Sequence, residues 1–345
     1  MSFYDVINRQ RRLVVGVGSA LIDILARADE AFLLKTGAVK GGMVYVDKSF
    51  IDRTVGMAAL APQVVPGGSA CNTVVGIGRL GGRARFVGKC GSGPMGNLFR
   101  SDLIKQNVDP MLIGCDLPTG RVLSIITPDS QRSMFTFLGA SSETRPEEIT
   151  PDCFEQAAIV HIEGYLLFNR ELILAVLKAA RAAGALVSLD LASFNVVQEA
   201  GQFLHQLVDQ YVDILIANED EAVAFSGVRD EREALAIMAR SVDVAALKIG
   251  PRGSLIAHNG NITVVPAKGS TAAVDSTGAG DLWAAGFLFG LVQHRHLAQC
   301  GDLGSVCGYE VCQVIGSHIP DERWNAIQQY MEEQWPKNGS HANNS

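Results

Sequence analysis

Short apolar runs alternate with longer amphipathic stretches through the second half of the chain. The pattern predicts strands at residues 158–162, 185–190 and 212–217, and helices at residues 170–183 and 197–210. Strands and helices that alternate in this way favour a parallel sheet covered by helices on both faces. Because parallel strands bring their carboxyl ends to one edge of the sheet, ligand-binding residues are expected at those ends.

The first half of the chain contains shorter and less regular elements. Residues 13–18 form an apolar, valine-rich run that predicts a buried strand, and Asp23 follows it as a ligand-binding acid or a turn residue. Residues 39–47 alternate as an edge strand does, and residues 120–127 and 132–137 predict a hairpin. Together these segments predict a small second sheet that serves as a lid.

The composition narrows the class of protein. The 345 residues are 48% hydrophobic and 19% charged, which is enough for a large core with an added smaller unit. A net charge of −7 without basic blocks argues against nucleic acid or an anionic membrane as a partner. No segment approaches the ~20 apolar residues of a membrane helix, so a cytoplasmic protein with a small-molecule partner is expected.

Cysteines and the last residues of the chain add two further expectations. The seven cysteines are scattered and lack the C-x-x-C pairs of zinc sites, so they are interpreted as reduced core thiols. Residues 336–345 are rich in Asn and Ser, and a disordered tail is expected there.

A glycine-rich loop joined to an apolar helix lies at residues 274–291. Gly278, Ala279 and Gly280 place little side-chain bulk around the first amides of that helix, and such an N-terminus attracts anions. Asp281 then has two interpretations. It caps the helix, for which Asp is a preferred residue, or it accepts the proton of a hydroxyl that attacks a bound phosphoryl group.

Two further glycine-containing stretches suggest binding sites. Gly67 and Gly68 let the backbone approach a ligand closely, and Asn72 either binds that ligand or caps the following helix. Residues 91–96, Gly-Ser-Gly-Pro-Met-Gly, follow a predicted strand and precede a predicted helix, as a dinucleotide fingerprint requires. They are the main support for a nicotinamide-dependent oxidoreductase. The phosphate loop Gly-x-x-x-x-Gly-Lys-Ser/Thr is absent from the sequence, which excludes a Walker-type site.

Polar residues and glycines in the second half also carry open alternatives. Asn218 and Glu221 either cap the next helix or orient the water molecules of a Mg²⁺ ion. Gly250 and Gly253 are explained fully by the turn of an ordinary hairpin. His161 lies inside a predicted strand and is interpreted as a buried core residue rather than a ligand or a base.

Several of these segments together resemble the ribokinase-like (PfkB) carbohydrate kinases. Residues 275–281, Asp-Ser-Thr-Gly-Ala-Gly-Asp, are similar to the family's carboxy-terminal signature Asp-Thr-x-Gly-Ala-Gly-Asp. Residues 67–72 resemble its Gly-Gly-x-x-x-Asn, and residues 218–221 its Asn-x-x-Glu. The motifs stand in the family's order over residues 13–335. The resemblance implies an α/β, ribokinase-like fold, with a mainly parallel sheet sandwiched by helices and a small β-sheet lid.

The resemblance also implies roles for single residues. Asp281 would be the catalytic base, and the anion hole would consist of Gly278, Ala279 and Gly280. The residues that would bind the acceptor are Asp23, Gly67, Gly68 and Asn72. Those that would bind ATP are Gly250, Gly253 and Thr277. Asn218 and Glu221 would orient Mg²⁺ through its water molecules. The implied cofactors are ATP and Mg²⁺, with K⁺ beside the anion loop as a further family feature.

The implied domain division has a discontinuous lid. The kinase core would consist of residues 1–23, 49–112 and 141–335, and the lid of residues 24–48 and 113–140. A monomer or a homodimer is expected.

Within the family, residues 40–47, 163–165 and 217–221 look most like bacterial adenosine-kinase-type nucleoside kinases. That likeness implies transfer of the γ-phosphoryl group of ATP to the 5′-hydroxyl of a nucleoside, adenosine first. Ala20 stands where sugar kinases of the family often carry Asn. A sugar kinase of the fructokinase or ribokinase type stays open as the alternative, and an oxidoreductase or a catalytically silent nucleotide-binding protein are more remote ones.

Overall fold

Two β-sheets organise the computed structural model, which describes residues 10–37, 40, 42–57, 62–127, 132–269 and 272–335. Within those residues the large sheet has nine strands, in the spatial order β14 (Asn261–Val265), β13 (Ser254–His258), β12 (Val244–Lys248), β11 (Ile214–Asn218), β10 (Leu186–Asp190), β9 (Ala157–Glu163), β1 (Leu13–Val17), β5 (Arg83–Gly91) and β6 (Val108–Cys115). The smaller sheet has the order β3 (Met43–Tyr45), β8 (Arg132–Gly139), β7 (Thr119–Ile126), β2 (Leu21–Arg27) and β4 (Gln63–Gly67). The tail expected at 336–345 lies outside the described residues.

Helices cover both faces of the large sheet. The helices are α1 (Glu30–Lys35), α2 (Lys48–Gly56), α3 (Ser69–Arg79), α4 (Pro94–Lys105), α5 (Arg170–Ala182), α6 (Phe194–Ala200), α7 (Gln202–Tyr211), α8 (Glu219–Ser226), α9 (Glu231–Met238), α10 (Ala279–Val292), α11 (Leu297–Val311) and α12 (Asp321–Gln334). One buried core contains α3, α4 and α10 to α12, and the other contains α5 to α9. In the described part of the chain, no helix combines the length and the apolar character needed to cross a bilayer.

The continuous apolar runs of the sequence are explained by strands buried on both faces. In β1, Val14 belongs to the core beneath α3 and α10, whereas Val15 and Val17 belong to the opposite core. Successive side chains of a strand point to opposite faces, so a central strand with a core on each side requires apolar residues at every position. The predicted fold class, a mainly parallel sheet sandwiched by helices with a second small sheet, is confirmed.

The strand order reverses at β1. This strand pairs in parallel with β5 on one side and with β9 on the other, and the chain then runs outward from β9 through β10, β11 and β12. A reversal of this kind leaves a crevice outside the carboxyl ends of the two central strands. That crevice, between β1 and β9, is where the site is built.

Three element assignments differ from the expectations. The single helix expected at 197–210 is two helices, because Gly201 has a φ of 52° and breaks the right-handed run between α6 and α7. β4 lies in the segment 49–112, expected in the core, yet it pairs antiparallel with β2 in the smaller sheet. β6 keeps residues 113–115, expected in the lid, in the large sheet. The partner of such short strands is set by contacts distant in sequence, which a local pattern does not contain.

Candidate active site

The buried carboxylate of Glu163 links the elements on the two sides of the crevice between β1 and β9. Glu163, the last residue of β9, accepts hydrogen bonds from the Ser19 amide at 2.8 Å and from the Ala70 amide at 3.1 Å. Ser19 lies in the loop after β1 and Ala70 lies in the first turn of α3, so one side chain ties three elements to one another. Burial raises the pKa of Glu163 to about 7, although the two amides oppose that shift.

Asp281 lies in the first turn of α10 and is turned toward α3. Its two carboxylate oxygens accept hydrogen bonds from the Ser69 hydroxyl at 2.7 Å and the Asn72 amide at 2.8 Å. The helix begins at Gly278, whose φ is 75°, and no side chain caps it. The interpretation of Asp281 as a helix cap is therefore wrong, because its oxygens are used by the neighbouring helix. Burial raises the pKa of Asp281, and the bonds from Asn72 and Ser69 counteract that effect.

The glycine loop before α10 presents a short anion-binding surface. Within it, the Ala279 amide donates to the Ser276 carbonyl at 3.1 Å. The amides of Gly280 and Asp281 follow in the first helical turn, where the backbone N–H groups have no intrahelical acceptor. These two amides, together with the positive end of the helix, can bind an anion directly beside the Asp281 carboxylate.

A buried ion pair lies under the same loop. Lys248, the last residue of β12, donates to the Asp190 carboxylate at 2.8 Å, and both side chains are largely buried. A Cβ atom built on Gly280 would come within 3.0 Å of the Lys248 ammonium nitrogen. Lys248 is the first residue of the Lys-x-Gly-x-x-Gly turn that contains Gly250 and Gly253. Like Asp190 and Glu163, it also lies at the carboxyl end of a strand.

A cavity of about 450 Å³ opens beside the anion-binding loop and extends between β12, α10 and α11. Its lining includes Asn218, Lys248, Gly250, Gly253, Ser276 and Gly280. Two of the three residues predicted to bind ATP, Gly250 and Gly253, are therefore in this cavity. The third, Thr277, is turned away, because its amide and hydroxyl both donate to Asp275. Ser276 lines the cavity in its place.

Asn218 and Glu221 bind each other in a capping box at the start of α8. The Asn218 side chain accepts from the Glu221 amide, and Glu221 accepts from both the Asn218 backbone amide and side-chain amide. Within the described residues, no group of three or more His, Cys, Asp or Glu side chains could hold a metal ion directly. The pair nevertheless fits an ion that keeps its water molecules, because each carboxylate oxygen has a further lone pair and Asn218 lines the cavity.

The residues predicted to bind the acceptor lie on β2, on β4 and around the start of α3. A Cβ atom on Gly67 would come within 2.3 Å of the Asp23 carboxylate, so these residues are in direct contact. Gly68, with a φ of 102°, precedes α3. Asn72 differs from the expectation: its amide donates to Asp281, and its oxygen accepts from the Ser317 hydroxyl at 3.0 Å. The structure therefore places Asn72 as a support for Asp281.

Exposed aromatic side chains occur on β3, on the segment just after β9 and at the start of α6. Tyr45 of β3 is 57% exposed, and Tyr165, just after β9, is 39% exposed. Burial raises the pKa of the Tyr165 hydroxyl first, and the nearby Glu163, Asp281 and Tyr45 groups raise it further. The Tyr165 hydroxyl is therefore near enough to both Asp281 and Tyr45 for their charges to affect it. Phe168 and Phe194 are also exposed, on elements that pack against each other.

Two remaining motifs have structural explanations. Two glycines of residues 91–96 allow close packing: a Cβ atom on Gly91 would lie 2.1 Å from the Leu117 carbonyl oxygen, and one on Gly96 would lie 1.8 Å from the Gly91 carbonyl oxygen. Close backbone packing therefore explains Gly91 and Gly96, whereas a Cβ atom on Gly93 would meet open space. His161 is fully buried, contacts the Ser188 hydroxyl at 3.0 Å, and has its pKa lowered to about 4 by burial. Its interpretation as a core residue is confirmed.

Comparison with known proteins identifies similar sequences and structures. A family model described as pfkB family carbohydrate kinase matches residues 32–324. A fructokinase of Klebsiella pneumoniae is 30% identical over 241 residues, which cover 66% of this chain and 78% of the relative. The crystal structure of a probable sugar kinase protein from Rhizobium etli CFN 42 superposes with a TM-score of 0.84 and 32% identity, covering 93% of this chain and 98% of the other. An adenosine kinase from Sinorhizobium meliloti superposes with a TM-score of 0.83 and 31% identity, covering 93% and 99%.

Proposed function

This chain belongs to the pfkB family of carbohydrate kinases, and on that premise we propose that it transfers the γ-phosphoryl group of ATP to the 5′-hydroxyl of a nucleoside, adenosine first. Membership of the family makes it a phosphotransferase with an alcohol group as acceptor. The similarity to the adenosine kinase of Sinorhizobium meliloti supports the nucleoside. The choice of acceptor rests on the residues around the crevice.

The observation that carries this choice is the pair of tyrosines at the crevice. Asp281 and Tyr45 of the smaller sheet both raise the pKa of the Tyr165 hydroxyl, so the three groups belong to one region of the structure. An acceptor whose hydroxyl reaches Asp281 would extend its far end between these side chains. A purine ring is flat and has a large apolar face, so it stacks favourably on aromatic side chains. Ala20, buried and apolar, offers no side-chain hydrogen bond to a sugar.

The proposed reaction uses Asp23 and Gly67 for the acceptor, and Asp281 with the first amides of α10 for the phosphoryl transfer. Asp23 and the backbone at Gly67 would bind the ribose hydroxyls, and Asp281 would accept the proton of the 5′-hydroxyl. As the acceptor oxygen bonds to the γ-phosphorus, the bond from phosphorus to the β,γ-bridging oxygen breaks and ADP leaves. The amides of Gly280 and Asp281 would bind the charge that develops on the transferred group. Because burial raises the pKa of Asp281, it is a stronger base than an exposed aspartate.

Mg²⁺ and K⁺ would assist the phosphoryl transfer, each at its own set of residues. Mg²⁺, when bound, neutralises charge on the phosphates, and Asn218 and Glu221 would orient its water molecules. K⁺ would act beside the anion loop, where the Asp275 carboxylate accepts from Thr277 and from the Gly316 amide. Turnover in KCl compared with choline chloride tests the second role, and equal rates would remove K⁺ from the proposal.

We also propose that the segments 24–48 and 116–140, with β4, close over the acceptor as a lid, whereas residues 113–115 belong to β6 of the large sheet. Closure would cover the exposed ring of Tyr45 and exclude water, which competes with the acceptor for the phosphoryl group. All seven cysteines are free thiols, a state typical of a reducing compartment, which supports a cytoplasmic location.

A second candidate function is a sugar kinase, favoured by the 30% identity to the fructokinase of Klebsiella pneumoniae. The decisive experiment incubates the protein with Mg²⁺, ATP and, separately, adenosine, other nucleosides, fructose or ribose, and measures ADP. The expected result is rapid formation of AMP from adenosine. A higher kcat/KM for fructose than for any nucleoside would favour the sugar kinase, and the absence of ADP with every alcohol would favour a silent protein. The Asp281→Asn variant from the same preparation controls for contaminating kinases.

A further inference from the structure

A second cavity, of about 770 Å³, opens between the smaller sheet, the ends of α3 and α4, and the start of α12. Sites that bind small molecules have volumes of about 300–1,000 Å³, so its size suits such a ligand. Among the described residues, the two cavities share only Gln313, so this one is separate from the nucleotide cavity. The proposed phosphoryl transfer gives it no role.

Cationic side chains lie along this second cavity. Its described lining contains Arg27, Arg79 and Lys105 against Asp321 and Glu322, although the whole chain has a net charge of −7. Arg79 is paired with Asp321 at 2.6 Å. Arg27 and Lys105 are exposed, and no ion pair or hydrogen bond joins either of them to another described residue. Their charges are therefore available to an anion in the cavity.

Neutral donors and acceptors accompany these cations. Burial lowers the pKa of the His318 imidazole first, Asp102 opposes that shift, and the charges of Lys105 and Arg79 lower the pKa further. A neutral imidazole has one donor and one acceptor, as a hydroxyl group requires of a partner. Side-chain amides, which also offer both, are contributed by Gln63, Gln106 and Gln313. The lining thus suits a ligand that has both hydroxyl groups and a negative charge.

The pair of residues that holds Asp281 forms part of the same lining. Asn72 and Ser317 both line the second cavity. The Ser317 hydroxyl donates to the Asn72 side-chain oxygen at 3.0 Å, and the Asn72 amide donates to Asp281 at 2.8 Å. A hydroxyl has a single proton to donate. A ligand oxygen that reaches Ser317 would therefore compete for that proton, and Asn72 would lose the bond that fixes its amide.

We propose that the second cavity binds a sugar phosphate, and that the bound ligand slows phosphoryl transfer by competing with Asn72 for the Ser317 hydroxyl. Arg27 and Lys105 bind the phosphate through charge-assisted hydrogen bonds, while His318 and the three glutamines bind the sugar hydroxyls. Binding in the cavity is independent of the acceptor's identity. The effect on turnover rests on the proposed kinase function.

Calorimetric titration with ribose 5-phosphate tests the site. The protein is first saturated with adenosine and a non-hydrolysable ATP analogue, so that the probe does not enter the catalytic crevice. The expected result is one ribose 5-phosphate bound per chain. Ribose and inorganic phosphate, titrated in the same way, should each bind about tenfold more weakly or worse, because each lacks one of the two recognised parts.

Two double variants locate the binding. Arg27→Gln with Lys105→Gln should weaken the affinity for ribose 5-phosphate by about tenfold or more, and should fold normally because both side chains are exposed. Lys178→Gln with Arg232→Gln is the matched control, because it removes the same charge from exposed residues of α5 and α9. It should bind ribose 5-phosphate as the wild type does.

Initial rates at saturating ATP and adenosine test the effect on turnover. Ribose 5-phosphate should lower kcat by about twofold or more in the wild type and in the control, because a displaced Asn72 leaves Asp281 less well oriented. The variant at Arg27 and Lys105 should have the basal kcat of the wild type and should not respond to ribose 5-phosphate.

The outcomes that contradict the proposal are distinct. Equal affinities of the wild type and the variant at Arg27 and Lys105 would overturn the site. Inorganic phosphate that binds as tightly as ribose 5-phosphate would overturn the sugar phosphate as its ligand. An unchanged kcat at saturating ribose 5-phosphate would overturn the link through Ser317. Failure of adenosine to bind would overturn the proposed acceptor alone, and the same comparison of variants without adenosine would then still test the cavity.

Discussion

The Asn72 side-chain amide donates to the Asp281 carboxylate at 2.8 Å, although the two residues are 209 positions apart in the chain. Asn72 is in turn fixed by the Ser317 hydroxyl, which donates to its side-chain oxygen at 3.0 Å. The bond from Ser317 therefore fixes the orientation of the Asn72 amide, so that its N–H group faces Asp281. A base held by a fixed donor keeps its remaining lone pairs in one direction, which favours proton transfer from a hydroxyl that binds at that place.

The first prediction concerns Asn72→Asp. This change replaces a donor by a second carboxylate next to Asp281, and two adjacent carboxylates cannot both ionise easily. The acid limb of the kcat/KM profile should move upward by roughly 1–2 pH units, with the base protonated at pH values where the wild type is active. A pH series of initial rates measures the shift.

Asn72→Ala is the control for this prediction. It also removes a hydrogen bond that lowers the pKa of Asp281, but it adds no charge. Its acid limb should move upward by less than that of Asn72→Asp. An unchanged acid limb in both variants would show that Asp281 is not the group that titrates.

A second prediction follows from the burial of Glu163. Its pKa is raised from 4.5 to about 7, so the folded protein binds this proton more tightly than the unfolded chain does. The associated stability is fully present below about pH 4.5 and is lost as the pH rises through about 7. The free energy of unfolding should fall over that interval by at most about 3 kcal/mol from this group.

Denaturant unfolding at several pH values, with the wild type and Glu163→Gln, measures this effect. Burial also raises the pKa of Glu221 to about 7, so the variant should lose only part of the pH dependence. Glu221→Gln should remove a further part. Identical pH profiles for wild type and Glu163→Gln would contradict a protonated Glu163 below pH 7.

The sequence was most informative where function depends on consecutive backbone groups. Residues 275–281 combine the glycines, the helix start and the acid in one stretch, and the chain places them beside a cavity as expected. The alternation of strands and helices likewise predicted β9 to β11, since each of these strands is buried on both faces.

The features of the site that the sequence did not predict depend on contacts between segments that are distant in the chain. The two groups that donate to the Asp281 carboxylate are on α3, and nothing local to residue 281 indicates Ser69 or Asn72. The ion pair of Lys248 with Asp190 and its position beside Gly280 likewise join segments that are distant in the chain. A helix cap and a base have the same local sequence, so only the direction of the Asp281 side chain distinguishes them.

The third prediction tests the capping box that Asn218 and Glu221 form. Asn218→Ala should cost about 1 kcal/mol of stability through loss of the cap, and should also raise the Mg²⁺ concentration needed for half-maximal turnover severalfold. Asp230→Ala is the matched control, because Asp230 caps α9 through the Glu233 amide at 2.9 Å. It should lower stability comparably without moving the Mg²⁺ curve. Superimposable Mg²⁺ curves for both variants would leave Asn218 with a capping role alone.

The last prediction concerns Asp281→Asn. The asparagine has the same shape, and it can accept from the Asn72 amide with its oxygen while donating to the Ser69 hydroxyl with its nitrogen. Because no cap is lost, thermal unfolding should be close to that of the wild type. Affinity for ATP should persist, since the backbone amides at the start of α10 are unchanged. Asn cannot take up the acceptor's proton, so turnover should fall by about 10²–10⁴-fold.

Asp281→Ala completes the comparison. It leaves the Asn72 amide and the Ser69 hydroxyl without their partner, so stability should fall by about 1–3 kcal/mol in addition to the loss of turnover. Rates, unfolding temperature and ATP affinity are measured on both variants. Near-normal turnover of Asp281→Asn would remove the base assignment. An inactive Asn variant that is stable and binds ATP would assign the lost step to the proton that Asp281 accepts, since shape, folding and nucleotide binding are then all retained.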